Sequence, residues 1–148
     1  MTAATENLAE LYLADETAWL EAMARLIAEG AVSELDFENL REYLTDMARR
    51  DRHEVESRLV QLLMHILKWT HQPDHRSRSW RSSIINQQFE LGRAMGRGVL
   101  RAHAEAVLPD LYREAVVLAA AETGLPEAAF PSECALALDE LLEFEAAE

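Results

Sequence analysis

Apolar residues return every three to four positions along almost the whole 148-residue chain, and an alternation with a period of two is nowhere sustained. This spacing places apolar side chains on one face of an α-helix, whereas a half-buried strand requires alternation. Leucine and alanine dominate, and the chain has only 5 glycines and 4 prolines, a composition that favours helix over sheet. The sequence therefore predicts an all-α fold, a single-domain bundle of about five to six helices with short loops over residues 1–148.

Capping residues divide the first part of the chain into separate helices. Asp15 falls on the apolar stripe of the first helical region, and because aspartate is a good N-cap and a costly core residue, a second helix is predicted to begin there. Gly30 has the position of a residue that ends that helix. In the helix that follows, Phe37, Leu40, Leu44 and Met47 are predicted to face inward.

The most apolar helix is predicted from about Asp51 to a sharp corner at residues 72–79. Asp51 and Glu54 have the spacing of a capping box, which indicates either a new helix or a bend at that point. Pro73 is predicted to end the helix, because the residue before a proline is disfavoured in the α region. Ser77 or Ser79 can then cap the next helix.

Cysteine content and hydropathy favour an intracellular, non-membrane protein. Cys134 is the only cysteine, so no disulfide can form within the chain and an oxidising compartment is not required. Residues 1–10 lack the basic and apolar regions of a secretory signal. The longest apolar stretch, residues 62–67, is interrupted by His65 and is too short to cross a bilayer. We expect a soluble cytoplasmic protein without membrane association.

The acidic net charge of −13 is unevenly distributed along the chain. Residues 41–101 contain 12 of the 14 basic residues but only 7 of the 27 acidic ones. This layout can steer an anionic partner towards the middle of the chain. Alternatively, the acidic flanking helices fold back and pair with the basic middle segment, as opposite-sign helices in bundles do.

Several short segments are too particular to be explained by a generic helical bundle. They are LMHILKW at residues 63–69, QP at 72–73, RS at 76–77 and SW at 79–80. Together they resemble the bacterial family catalogued as domain of unknown function 29, and the resemblance extends to ELD at residues 34–36 and ETGLP at 122–126. It implies an all-helical bacterial domain with no assigned activity. Ala137 departs from the family pattern, in which a serine or threonine usually opens the last helix.

The segment of residues 68–81, here called the basic corner, is the main candidate for an anion or partner-binding site. Its candidate residues are Lys68, Trp69, Arg76, Ser77, Arg78, Ser79, Trp80 and Arg81. In a functional interpretation, cations around a serine-capped helix start bind phosphate, and the indole rings stack on nucleobases. In a structural interpretation, the two tryptophans are core anchors and Arg76 binds the last carbonyls of the preceding helix.

A buried polar network is the second candidate cluster, formed by Glu38, Glu42, His65 and Lys68. Glu38 and Glu42 lie i,i+4 on the helix predicted to precede the apolar one, so Lys68 or His65 is expected to pair with one of them. The same ingredients would allow an acid–base cluster, although no catalytic spacing supports an enzyme. We therefore assign no catalytic residue.

The histidines do not have the spacing of metal ligands. His71 and His75 are separated by Pro73, so they cannot share a helix face, and no His-Glu-x-x-His motif is present. No metal and no cofactor are predicted. The sequence favours a non-catalytic protein-interaction or regulatory helical module with an unidentified protein partner, compatible with a homo-oligomer. The alternative is a phosphate-, nucleotide- or RNA-binding domain that uses the basic corner.

Overall fold

The computed structural model describes residues 2–96 and 98–147, with side chains from residue 7 onwards, and it contains no strand in these residues. Six α-helices are present in this part of the chain: α1 Thr2–Ala14, α2 Glu16–Ala28, α3 Phe37–His71, α4 Arg78–Met95, α5 Val99–Thr123 and α6 Leu138–Leu142. Short 3-10 helices occupy three connections: Val32–Glu34, Pro73–His75 and Glu127–Ala129. The predicted all-α fold with short loops is confirmed.

The helices form two compact units, residues 1–49 and residues 50–148, and α3 contributes to both. In the first unit, α1 and α2 are separated at Asp15, whose carboxylate accepts a hydrogen bond from the Ala18 amide over 3.1 Å. This capping bond confirms the predicted start of α2. Gly30 adopts a positive φ of 75° after α2, as a glycine that ends a helix is expected to do.

The core of the first unit is built around Trp19, which is fully buried and packs with Met23 and Leu35. Trp19 Nε1 donates a hydrogen bond to the buried carboxylate of Asp36 over 3.2 Å. Asp36 stands immediately before α3 and also accepts from the Asn39 side chain over 2.7 Å. The start of α3 is therefore tied to the middle of α2 by a buried polar contact.

Two predictions for α3 need correction. Of the two alternatives at Asp51, the new helix is wrong, because α3 continues through Asp51 without interruption, and Glu54 pairs with Arg58 at 3.1 Å. Phe37 and Leu44 do not face inward, since they are 57% and 59% exposed. The buried face of this part of α3 is centred near the partly buried residues Leu40 and Tyr43, which pack on the core. At about 100° per residue, Phe37 and Leu44 lie at the edge of that face.

The second unit packs the C-terminal half of α3 with α4, α5 and α6 around one apolar core. The inward face of α3 includes Val55, Leu59 and Leu62, all fully buried. On α5 the buried positions include alanines, among them Ala115 and Ala119, and small side chains allow helices to approach closely. No helix in the described residues is both long and apolar enough to cross a membrane.

Candidate functional site

The basic corner is formed where the chain turns from α3 into α4. Pro73 opens the short 3-10 helix that follows α3, and Ser77 precedes the first residue of α4. The Ser77 hydroxyl accepts a hydrogen bond from the Trp80 amide over 3.2 Å. The predicted end of α3 and the predicted serine cap of α4 are both present, so the local sequence signals position this corner.

The buried Trp69 and the exposed Arg76 contact each other at the corner. The Trp69 side chain is only 4% exposed, and the guanidinium carbon of Arg76 lies 4.9 Å from the centroid of its ring. Arg76 Nε donates a hydrogen bond to the Trp69 carbonyl oxygen over 2.8 Å, which satisfies one of the carbonyls left without a partner at the end of α3. This geometry matches the structural interpretation of both residues.

Lys68 is also engaged inside the second unit. It is 8% exposed, and its Nζ lies 2.6 Å from Oε2 of Glu122 near the end of α5. The same ammonium lies 4.6 Å from the ring centroid of Trp80, a partly buried residue that packs against the core. The ion pair and the cation–π contact therefore link α3, α4 and α5.

The structure does not assemble the predicted buried polar network. Glu38 and Glu42 are exposed, and they share the continuous helix α3 with His65 and Lys68. Residues so far apart on one helix cannot face each other as residues of neighbouring helices do. His65 Nδ1 instead lies 2.8 Å from the Gln61 carbonyl oxygen. Lys68 pairs with the carboxylate of Glu122 on α5.

Five of the eight corner residues are exposed: Arg76, Ser77, Arg78, Ser79 and Arg81. Arg78 and Arg81 are three residues apart in the first turns of α4, so they lie on one side of the helix. Within the part of the chain that the structure describes, neither arginine side chain makes a hydrogen bond or an ion pair. Arg78 and Arg81 are therefore the exposed corner cations without a protein partner among the described residues.

Ion pairs also join the basic middle of the chain to the acidic C-terminal flank. Lys68 pairs with Glu122, and Arg101 pairs with Asp139 near the start of α6. The Asp139 carboxylate is the main reason that the pKa of Arg101 is raised. In part of the second unit, acidic residues of the C-terminal flank therefore neutralise basic residues of the middle segment.

An apolar cavity of about 270 Å³ lies elsewhere in the second unit, and the sequence did not indicate it. Its wall includes Ile66 of α3, Tyr112 of α5, Leu141 of α6, and Cys134 and Leu136 of the loop between them. Apolar residues that line a cavity have the same spacing as residues that fill a core, so no sequence signal distinguishes them.

Among the described residues, no group of three or more potential ligands could hold a metal ion.

Burial governs the protonation of the two ionisable side chains in this wall that have shifted pKa values. The pKa of the Cys134 thiol is raised, mainly because burial disfavours the thiolate. Burial likewise raises the pKa of the Tyr112 hydroxyl, with a smaller contribution from Cys134. Both groups are therefore held in their neutral forms at neutral pH.

The fold defines this protein as an all-α domain in which Lys68, Trp69 and Arg76 of the basic corner make contacts within the second unit. The sequence profile of the family described as Domain of unknown function DUF29 matches residues 11–145. The chain therefore belongs to the DUF29 family, which confirms the resemblance found in its motifs. No curated protein and no solved structure gives a significant match.

The Lys68–Glu122 pair predicts an asymmetry between its two partners. Glu122→Gln is expected to reduce the free energy of unfolding by about 1–3 kcal/mol, because it leaves the buried ammonium without a counter-ion. Lys68→Met is expected to cost less, because it removes the buried charge and keeps the apolar stem. Urea unfolding followed by circular dichroism measures both. Glu114→Gln, at an exposed position of the same helix, is the matched control, and an equal effect of the two glutamine variants would contradict the prediction.

Proposed function

We propose that this domain is a non-catalytic protein-interaction module of the cytoplasm, which binds its partner through an apolar surface of the first unit. The observation that carries the proposal is the exposure of large apolar side chains. Among the described side chains of this unit, the exposed ones are Leu13, Ile27, Val32, Phe37 and Leu44. The buried core of the same unit consists of Trp19, Met23 and Leu35, with partly buried apolar residues packed against them, and the five exposed side chains lie outside this cluster.

Phe37 and Leu44 are the centre of this proposed surface. Seven residues apart on α3, they lie within about 20° of each other around the helix axis, so they form one apolar strip. Aromatic residues are enriched at protein interfaces, and apolar anchors at i and i+7 on a helix are a common recognition pattern. Glu38 and Glu42 are exposed on the same helix, which favours a partner with basic residues beside an apolar groove.

The test is capture of a partner by the tagged protein from a lysate of its native host, with and without nuclease. The combined variant Phe37→Ser/Leu44→Ser is expected to lose at least about tenfold in partner affinity, as truncation of anchor residues commonly does. Because both side chains are exposed, its thermal stability is expected to change little. Phe89→Ser is the matched control, since Phe89 is 65% exposed on α4 of the other unit. Equal partner recovery by the strip variant and the control would contradict the proposal.

The exposed pair of Arg78 and Arg81 favours a second candidate function, binding of a phosphate-bearing ligand such as RNA or a nucleotide. Support comes from the two unpaired guanidinium groups beside the serine-capped start of α4. Two observations argue against it. Lys68 and Arg76 already have partners within the chain, and a net charge of −13 disfavours binding of a polyanion. Capture that is lost with nuclease, and lost in Arg78→Ala/Arg81→Ala, would favour this function over protein interaction.

A further inference from the structure

The cavity of the second unit has the walls of a ligand site. It has a volume of about 270 Å³, is partly open to solvent, and is bounded by side chains of α3, α5 and α6 and by the loop of residues 131–136. Leu63, Ile66 and Leu141 contribute apolar wall, and each of them is at least nine-tenths buried. For comparison, apolar cavities of about 150 Å³ bind benzene or xenon, so this one has room for a larger molecule.

Two polar groups in the wall already have hydrogen-bond partners. The Tyr112 hydroxyl donates to the Pro131 carbonyl oxygen over 2.6 Å, and the Cys134 thiol donates to the Leu136 carbonyl oxygen over 3.2 Å. These bonds fix the loop against α5 and direct both donors to the backbone. A water molecule needs two to four polar partners to be held in a cavity, and the other polar side chains of this wall are the exposed Thr70 and the partly buried His71.

The wall also argues against a charged ligand. Lysine, arginine, aspartate and glutamate side chains do not line it, and its one histidine, His71, packs edge-on against Phe130 with 5.0 Å between the ring centroids. Burying an ion in such a site without a counter-charge is strongly unfavourable. The chemistry of the wall therefore selects a neutral, largely apolar molecule.

We propose that the cavity binds a small neutral apolar molecule, of the size of a bicyclic aromatic ring system or a medium-length alkyl chain. The ligand enters beside the non-helical loop of residues 131–136. It lies against Ile66 and Leu141 and covers the Cys134 thiol. This site belongs to the second unit, so it is independent of the protein interaction proposed for Phe37 and Leu44.

Cys134 provides a reporter for this site, because it is the only cysteine in the chain and it lies in the wall. Naphthalene is the probe, and the rate of Cys134 alkylation by iodoacetamide is measured by mass spectrometry. The reaction is run at about pH 9, because burial raises the pKa of the thiol. At about five times its dissociation constant, naphthalene is expected to slow alkylation roughly sixfold and to raise the melting temperature.

Ile66→Phe is the test variant, because the added ring occupies part of the cavity. Met64→Phe is the matched control: Met64 is equally buried on α3 but does not line the cavity. Naphthalene is expected to protect Cys134 in the wild type and in Met64→Phe, and to lose most of its effect in Ile66→Phe. If Ile66→Phe does not fold by circular dichroism, Leu136→Phe, in the loop, replaces it. Absence of protection in the wild type, or equal protection in the filled variant, would overturn the proposal.

Discussion

Replacement of Trp69 by alanine is expected to destabilise the second unit by about 3–5 kcal/mol, the range found when a buried aromatic residue is truncated in a core. The indole is 4% exposed, and its removal leaves a cavity at the end of α3. It also removes the ring beneath the Arg76 guanidinium. The loss should therefore affect both the core and the corner between α3 and α4.

Urea unfolding followed by circular dichroism measures the effect of Trp69→Ala. Trp69→Phe is the control. Because it keeps an aromatic ring in the core, it should cost less than half of the stability that Trp69→Ala loses. Arg76→Ala should cost less than Trp69→Ala, since it removes one hydrogen bond and one cation–π contact at an exposed position. A cost below about 1 kcal/mol for Trp69→Ala would show that Trp69 is not a core anchor.

Replacement of Trp19 by alanine is expected to unfold the first unit, with a cost again of about 3–5 kcal/mol. Trp19 is fully buried, and the core around it is small, with Met23 and Leu35 as its other buried members. Its ring also packs against Tyr12, with 4.7 Å between the ring centroids. Removing the indole further deprives the buried Asp36 carboxylate of one of its hydrogen-bond donors.

Hydrogen exchange measured by mass spectrometry distinguishes unfolding of the first unit from global unfolding. Trp19→Ala is expected to lose amide protection over residues 16–28, while residues 99–123 of α5 stay protected. Trp19→Phe keeps the ring packing but not the N–H donor, so its cost should be smaller, about 1–2 kcal/mol. Full protection of residues 16–28 in the alanine variant would contradict the role of Trp19 as the centre of this unit.

Local signals in the sequence predicted the helix ends well, because a cap or a proline acts within one turn of the chain. Asp15 caps α2, Pro73 follows the end of α3, and Ser77 caps α4. The Asp51 and Glu54 pair failed because a capping-box spacing also occurs inside helices, where Glu54 pairs with Arg58. A local motif cannot exclude continuation when no glycine or proline interrupts the helix.

The candidate site was predicted less completely than the fold, because its residues are partnered over long sequence distances. The corner motif identified Lys68 and Trp80 as candidate site residues. The carboxylate that pairs with Lys68, however, belongs to Glu122, more than fifty residues away. The cavity likewise depends on how α3, α5, α6 and the loop of residues 131–136 meet. Periodicity gives the face that a helix buries and does not give the volume left between faces.

By itself the sequence determined that the chain is helical, where most helices begin and end, and which family motifs it contains, since these follow from residue periodicity, capping chemistry and local identity. The tertiary structure alone decided which cations are free, which apolar residues stay exposed and where a cavity remains. Arg76 and Arg78 are two residues apart in one basic segment and both are exposed, yet Arg76 binds the Trp69 carbonyl and Arg78 has no protein partner among the described residues. That difference arises because burial and pairing depend on the three-dimensional positions of neighbouring helices, which composition and spacing do not encode.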